Sequence, residues 1–296
     1  MAFEEDPQPP LAQDVQILQA LQNANHVVNL KALSDDPEPT PEPKTFKPST
    51  THMNEDENQR PDRFPNRLLI RLFLCAARAC AAMAWPPGLN RDTWGYMRPE
   101  EARDDIEPLL ASHGAIRPSH WLFGGLDHRP EHSLVPIMKL ISFDEAYVHD
   151  GTEATINDTP KFDRKAQIVR RTAPKGLSNP ATRANVHSIG VRMGNIILED
   201  NWLQADEVRE EMGARDQWAR NTHPGYDPQL IELVARCIAV DPNNRPSIYE
   251  LLDTLKEWSF KKTAEYYSGK QGAEIETDEA LRELVKQYIF DVAVVG

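Results

Sequence analysis

Asn185-Val186-His187-Ser188-Ile189-Gly190-Val191-Arg192-Met193-Gly194-Asn195-Ile196-Ile197-Leu198 runs on into Glu199-Asp200-Asn201-Trp202. Val186, Ile189, Met193, Ile196 and Ile197 recur at helical spacing, and Val191 and Leu198 widen that face. A surface helix keeps one apolar stripe, whereas a helix apolar on most sides is buried. The stretch 185–199 therefore predicts a central buried helix with its neighbours packed around it and Asn185 as its N-cap.

Working outward, Leu230 to Leu255 reads LIELVARCIAVDPNNRPSIYELLDTL. Leu230, Val234, Cys237 and Ile238 form one helix. Asp241-Pro242-Asn243-Asn244-Arg245-Pro246 interrupts it, because proline removes a donor and forces a turn. Ser247 then caps a second helix, and Glu250, three residues on, completes a capping-box signature.

The chain has 296 residues, enough for one large domain or two small ones. A net charge of −13, from 46 acids against 33 bases, argues against non-specific nucleic-acid binding, which needs clustered Lys and Arg. Cys75, Cys80 and Cys237 lie among apolar residues on predicted helices, without CxxC spacing. They read as reduced, buried thiols rather than a disulfide framework or a zinc site. The start, Met-Ala-Phe-Glu-Glu-Asp, is acidic and lacks an apolar signal core. The most apolar run, 68–85, is broken by Arg71 and Arg78, too polar to span a bilayer. The expectation is an intracellular protein, cytoplasmic or nuclear, with no membrane or nucleic-acid partner.

In chain order, 1–13 is an acidic, Pro-rich tail. Asp14 to Leu21 is a short helix with Val15, Leu18 and Leu21 on one side; Asn23-Ala24-Asn25-His26 ends it, and Val27 to Leu30 is a strand. Residues 33–65 are dominated by Pro and acid, with little to bury, and read as a disordered or loosely draped insert. Asn66 to Trp85 is a second long helix, with Leu69, Phe73, Ala76, Ala77, Cys80 and Met83 on one face and Pro86-Pro87-Gly88 as its stop. A polar connector, 89–107, has Trp94 and Tyr96 as anchors. Trp121-Leu122-Phe123 is a short strand, with Trp121 read as core rather than as a stacking platform, and Val135 to Ala146 is a strand followed by a loop. The basic cluster Arg164, Lys165, Arg170, Arg171 and Lys175 reads as a solvated loop. Asp278 to Tyr288 is one more amphipathic helix, ahead of an apolar end at 290–295.

A buried helix, a polar gap, then helix–DPxxRPS–helix resembles the C-terminal lobe of eukaryotic protein kinases. The helix, "NANH" and strand of 14–30 are similar to a helix and strand of the kinase N-lobe. The resemblance covers about 105–260 well and 14–30 thinly, and it points to the short protein-kinase-like proteins of filamentous fungi. It implies an α+β, mainly α, protein-kinase-like fold with a helical C-lobe and an incomplete N-lobe. The implied division is a 1–13 tail, a 14–32 N-lobe remnant, the 33–65 insert, a 66–260 C-lobe and a 261–296 extension with a helix.

Phosphoryl transfer is mostly positioning and charge neutralisation. The family does it with a Gly-rich loop, a strand Lys paired to a helix Glu, an HRDxxxxN catalytic loop and a DFG triplet. The catalytic loop aligns with His113-Gly114-Ala115-Ile116-Arg117-Pro118-Ser119-His120. His113 keeps the motif's His, Gly114 stands for its Arg, Ala115 for the catalytic Asp and His120 for the magnesium-binding Asn. The DFG position reads Ser142-Phe143-Asp144; Phe143 is retained and is expected beneath the N-lobe helix near Leu18, while Ser142 replaces the magnesium Asp. Hard Mg²⁺ wants carboxylate oxygen, which Asp144 offers only two positions along. Asp14 falls at the helix Glu, only thirteen residues precede it, and neither a Gly-rich loop nor a Lys-bearing strand is found there.

Asn185 aligns with the Asp whose side chain holds the catalytic-loop backbone, and it still accepts a hydrogen bond. Gly190 and Arg245 align with structural positions. Ala173-Pro174-Lys175 stands at the Ala-Pro-Glu segment, so Lys175 would repel Arg245, and either Arg245 finds another acid or that loop moves. His113 and His120 raise the question of a metal, but no third ligand lies at suitable spacing, so no metal site is assigned.

Three readings remain open. The first is a catalytically inactive kinase-like protein, a pseudokinase, acting as a binding or scaffold module. Its partner, or a second copy, would sit on the C-lobe top around Trp121, Leu122, Phe123, Ile137 and Phe143, left exposed by the incomplete N-lobe. The second is a kinase homologue with residual ATP and Mg²⁺ binding or atypical phosphotransferase activity. The third is a non-functional truncated gene product. Only the second carries a cofactor.

Overall fold

The computed structural model describes residues 17–28, 44–45, 63–87, 100–103, 108–109, 111–148, 180–198 and 225–290. These residues are α+β and mainly α. Their axis is helix α1 (Asn66–Ala84), whose every residue is buried. The sequence reading gave this helix one apolar face and gave the centre to 185–199; the structure puts α1 at the centre. The reason lies in three arginines. Arg67, Arg71 and Arg78 mark a polar side in the sequence, but all three are buried. A buried arginine needs a partner. Arg67 reaches Asp278 at 2.6 Å, Arg78 takes both oxygens of Glu131 at 2.6 and 2.9 Å, and Arg71 donates to the Arg67 carbonyl at 3.2 Å.

Helix α2 (Pro180–Leu198) crosses α1. It begins earlier than expected, because Pro at a first helical position sets the required φ and lacks an N–H that would go unpaired anyway. Asn185 is therefore inside the helix and is not its N-cap. Helix α3 (Pro228–Cys237) packs on α2 and is capped by Asp227, which accepts from the Gln229 N–H at 3.0 Å. The two helices approach closely at Gly190, where an added Cβ would lie 2.5 Å from Cβ of Cys237. The expected turn is a 3₁₀ turn at Pro242–Asn244, and α4 (Ile248–Lys261) follows. Ser247 caps α4 as expected, accepting from the Glu250 N–H at 3.1 Å. The reciprocal half of the capping box is not made: the Glu250 carboxylate turns to Arg236 at 2.6 Å, an ion pair in place of a cap. All three cysteines are buried free thiols.

Among the described residues, five short strands fill the other side. Strands β1 (Lys44–Thr45), β3 (Trp121–Phe123) and β4 (Met138–Leu140) form one antiparallel sheet in the order β1-β3-β4. Strands β2 (Ala111–Ser112) and β5 (Tyr147–Val148) form a separate antiparallel pair. Of the expected strand at 27–30, Val27 makes a parallel bridge to Leu140 and 29–30 lie outside the described residues; the helix before it is described only from Ile17 to Ala20.

Two expectations about organisation change. The 33–65 insert supplies β1, with Lys44 opposite Phe123 and Thr45 opposite Leu122. An edge strand asks only for backbone donors and acceptors, which a polar tract provides. The C-lobe top is accordingly not an exposed apolar patch. Trp121, Phe123 and Phe143 are buried, and Leu122 and Ile137 are half-buried.

The tail from 261 is likewise no appendage. Helices α5 (Ala264–Tyr267) and α6 (Asp278–Val285) bury Tyr267, Leu281, Leu284 and Val285, and a wide turn continues through Lys286–Phe290. The buried Glu276 carboxylate accepts from the backbone N–H groups of Asn66 and Arg67 at 2.8 and 3.1 Å. It caps α1, whose own N-terminus has no side-chain cap, with a charge that the helix dipole favours. Lys262 and Tyr267 close on Asp227 at 2.5 and 2.9 Å, and burial, then the Asp227 charge, pushes the Tyr267 hydroxyl well up. Asp14, Trp94, Tyr96, the basic cluster 164–175 with Ala173-Pro174-Lys175, and 291–296 lie outside the described residues. Among the described residues, no helix is long and apolar enough to cross a membrane.

Candidate functional site

The residues aligned with the kinase loops come together where β2, the loop after it and the turn after β4 meet α2. Asn185 is the tie. Its Oδ1 accepts from the His113 N–H at 3.1 Å and its Nδ2 donates to the Ala111 carbonyl at 2.9 Å. One amide thus satisfies a buried donor and a buried acceptor on the strand-to-loop corner, where leaving either unpaired would be costly.

His113 is fully buried; its Nε2 lies 3.0 Å from the Ile141 carbonyl, and its ring centroid is 4.8 Å from that of Phe143. Phe143 is buried against this ring. Gly114 follows at φ +76°, a left-handed conformation that favours glycine. A Cβ there would lie 2.1 Å from the Glu145 carbonyl oxygen. The arginine that the resemblance expects at this position has no room.

Ala115 is buried, and its carbonyl is 2.6 Å from Nδ1 of His120, which closes the loop on itself. Arg117 reaches Glu145 at 3.0 Å across the loop's outer side. Ser142 is held at φ +61°, left-handed for a non-glycine residue, just before the 3₁₀ turn Phe143–Glu145. Asp144 is exposed. The described loop residues therefore bring a methyl, a hydroxyl and a solvent-facing carboxylate to the three positions where the resemblance calls for aspartates or its flanking group. Nothing among Ala115, His120 and Ser142 is an anionic oxygen able to accept a hydroxyl proton or hold Mg²⁺.

Arg245 is buried and donates to the backbone carbonyls of Ala239, Arg183 and Val240 at 2.8, 3.3 and 3.4 Å. Arg183 donates in return to the carbonyls of Pro242 and Arg245. These carbonyl oxygens are acceptors that the expectation of an acid opposite Arg245 did not foresee.

A second cluster was missed in the sequence. His26 is buried and uses three polar atoms: its N–H donates to Glu100 Oε1 at 2.8 Å, its Nδ1 lies 2.7 Å from Glu100 Oε2, and its Nε2 lies 3.2 Å from Nε2 of His132. Burial works against a charge on His26, but the Glu100 carboxylate outweighs it and lifts the imidazole to about 9. Burial first, and then the His26 charge, hold His132 down at about 4. Cys75, on α1, joins them: one ligand atom each from His26, Cys75 and His132 lie within 4.8 Å of one another. Arg78, one helical turn on, donates to the Glu100 carbonyl at 3.1 Å while holding Glu131 beside His132. No local motif announces this site, because its residues are scattered from 26 to 132. The available signals were His26 closing a helix and Cys75 in an apolar run, and neither names a partner.

No family model matches the chain, and no curated protein matches it. Among solved structures, it is similar to a crystal structure of the Rad53 kinase domain and SCD2, at 15% identity and a TM-score of 0.48, covering 93% of this chain and 85% of that one. A likeness of that size carries no inference about site or activity.

Proposed function

We propose that the chain is a protein-kinase-like domain that does not transfer phosphate and works instead as a binding or scaffold module. The observation that carries this reading is the loop at Gly114-Ala115. Its backbone is tied to α2 through Asn185 at the position where the kinase resemblance expects that tie. The same loop carries a methyl at the proton-accepting position, and a Cβ added at its neighbour Gly114 would lie against the Glu145 carbonyl. The frame is kept and the reactive groups are replaced.

Two further observations support inactivity. Ser142 offers a neutral hydroxyl at the magnesium position, and Asp144 faces solvent. Electrostatic neutralisation of the transferring phosphoryl group is the main service such a site renders, and these residues do not render it.

The test is incubation of the purified chain with γ-labelled ATP and Mg²⁺, with and without a generic protein substrate. No label is expected on chain or substrate. Label that is lost in Asp144→Asn would overturn the proposal.

A further inference from the structure

We propose that His26, Cys75 and His132 form a zinc site that fastens the 17–28 segment to the helical core. The ligand atoms are two imidazole nitrogens and one thiolate, the donor set that a borderline-soft, d¹⁰ cation takes. The two Nε2 atoms are 3.2 Å apart. With zinc–nitrogen bonds of about 2.0–2.1 Å, that spacing subtends about 103° at a shared ion, close to tetrahedral. The Cys75 sulfur lies within 4.8 Å of a ring nitrogen of each histidine. A tetrahedral site needs it at about 3.6 Å from each, a side-chain adjustment rather than a backbone one.

The surroundings have the form a bound ion needs. A histidine ligand usually gives its other ring N–H to a carboxylate, which fixes its orientation and raises its basicity. His26 has this partner in Glu100 Oε2, 2.7 Å from Nδ1. The fourth coordination position falls to a water or to a Glu100 oxygen. Charge also closes: the thiolate and the Glu100 carboxylate offset a divalent ion, while Arg78 and Glu131 offset each other.

Each ligand is held by a different part of the fold. His26 is fixed by its own backbone, whose carbonyl accepts from the Leu140 N–H at 2.8 Å. Cys75 sits mid-way along α1, and His132 ends the 3₁₀ turn Pro130–His132. An ion at their meeting point joins three segments that share no local sequence, which is what a structural zinc does.

The experiment uses the full chain, free of any affinity tag. Elemental analysis of the purified protein is expected to give one zinc per chain. The metal-free chain titrated with Co²⁺ is expected to develop the thiolate-to-cobalt charge-transfer band and the strong visible bands of a four-coordinate ion, both reversed by one equivalent of Zn²⁺. Cys75→Ala is expected to abolish the charge-transfer band, and His132→Gln to weaken Zn²⁺ binding at least tenfold. If either variant fails to fold, the wild-type cobalt spectrum decides alone. A folded wild-type chain, judged by circular dichroism, that holds no stoichiometric zinc and leaves Co²⁺ with its pale six-coordinate spectrum overturns the proposal. So does a charge-transfer band that survives Cys75→Ala.

Discussion

Gly114 shows how one residue decides what a loop can hold. Its φ of +76° and the Glu145 carbonyl leave no space for a side chain. Gly114→Ala is expected to cost at least about 1–3 kcal/mol from backbone strain, with the clash added to it, measured by urea unfolding. Ser142 carries milder strain of the same kind, so Ser142→Gly is expected to leave stability unchanged or raise it by up to about 1 kcal/mol. Asn185 is tuned as an amide, because it both accepts and donates. Asn185→Asp keeps the acceptor but sets a carboxylate oxygen against the Ala111 carbonyl, an expected loss of about 1–3 kcal/mol. Equal stability of Asn185→Asp and the parent chain would show that the Ala111 bond contributes nothing. The sequence made the acceptor at Asn185 legible, and it made Ala115 and Ser142 legible as losses. It did not reveal the space limit at Gly114, which depends on a turn thirty residues away in the chain.

At the scale of elements, α1 is held by parts far from it in sequence. Glu276 caps its first turn, and Arg63 reaches the same carboxylate at 3.1 Å. Glu276→Ala removes the cap and leaves the buried Arg63 without that partner, so it is expected to cost about 3–5 kcal/mol. An exposed-tail cost of a few tenths would show that the extension is not part of the core. Phe73→Ala in α1 is expected to cost about 3–5 kcal/mol and Ile189→Ala in α2 about 2–5 kcal/mol. Ile17→Ala, in a half-buried turn, is expected to cost much less. Helix positions were legible because their apolar spacing and their Pro and Ser boundaries are local signals. The rank of the helices was not. Hydrophobic patterning scores arginine as surface, and only long-range pairing with Glu131 and Asp278 reverses that. Strands of two or three residues, such as β2 and β5, carry too little alternation to be seen at all.

For the whole molecule, the 33–65 tract matters more than its composition suggests. Its β1 covers the outer edge of β3, where unpaired backbone groups would otherwise invite another chain. Deleting 33–62 is expected to turn a monodisperse chain into one that self-associates or binds a hydrophobic dye, read by light scattering and fluorescence. Identical behaviour of both forms would mean that β1 does not protect that edge.

The central proposal is that this chain, which resembles a protein kinase, has lost the groups that hold a nucleotide and transfer its phosphate. Thermal unfolding with millimolar Mg²⁺·ATP tests it most directly, because any ligand that binds the folded chain stabilises it as RT ln(1 + [L]/Kd). The account predicts a midpoint that does not move. A saturable, magnesium-dependent rise that disappears in Asp144→Asn would contradict it.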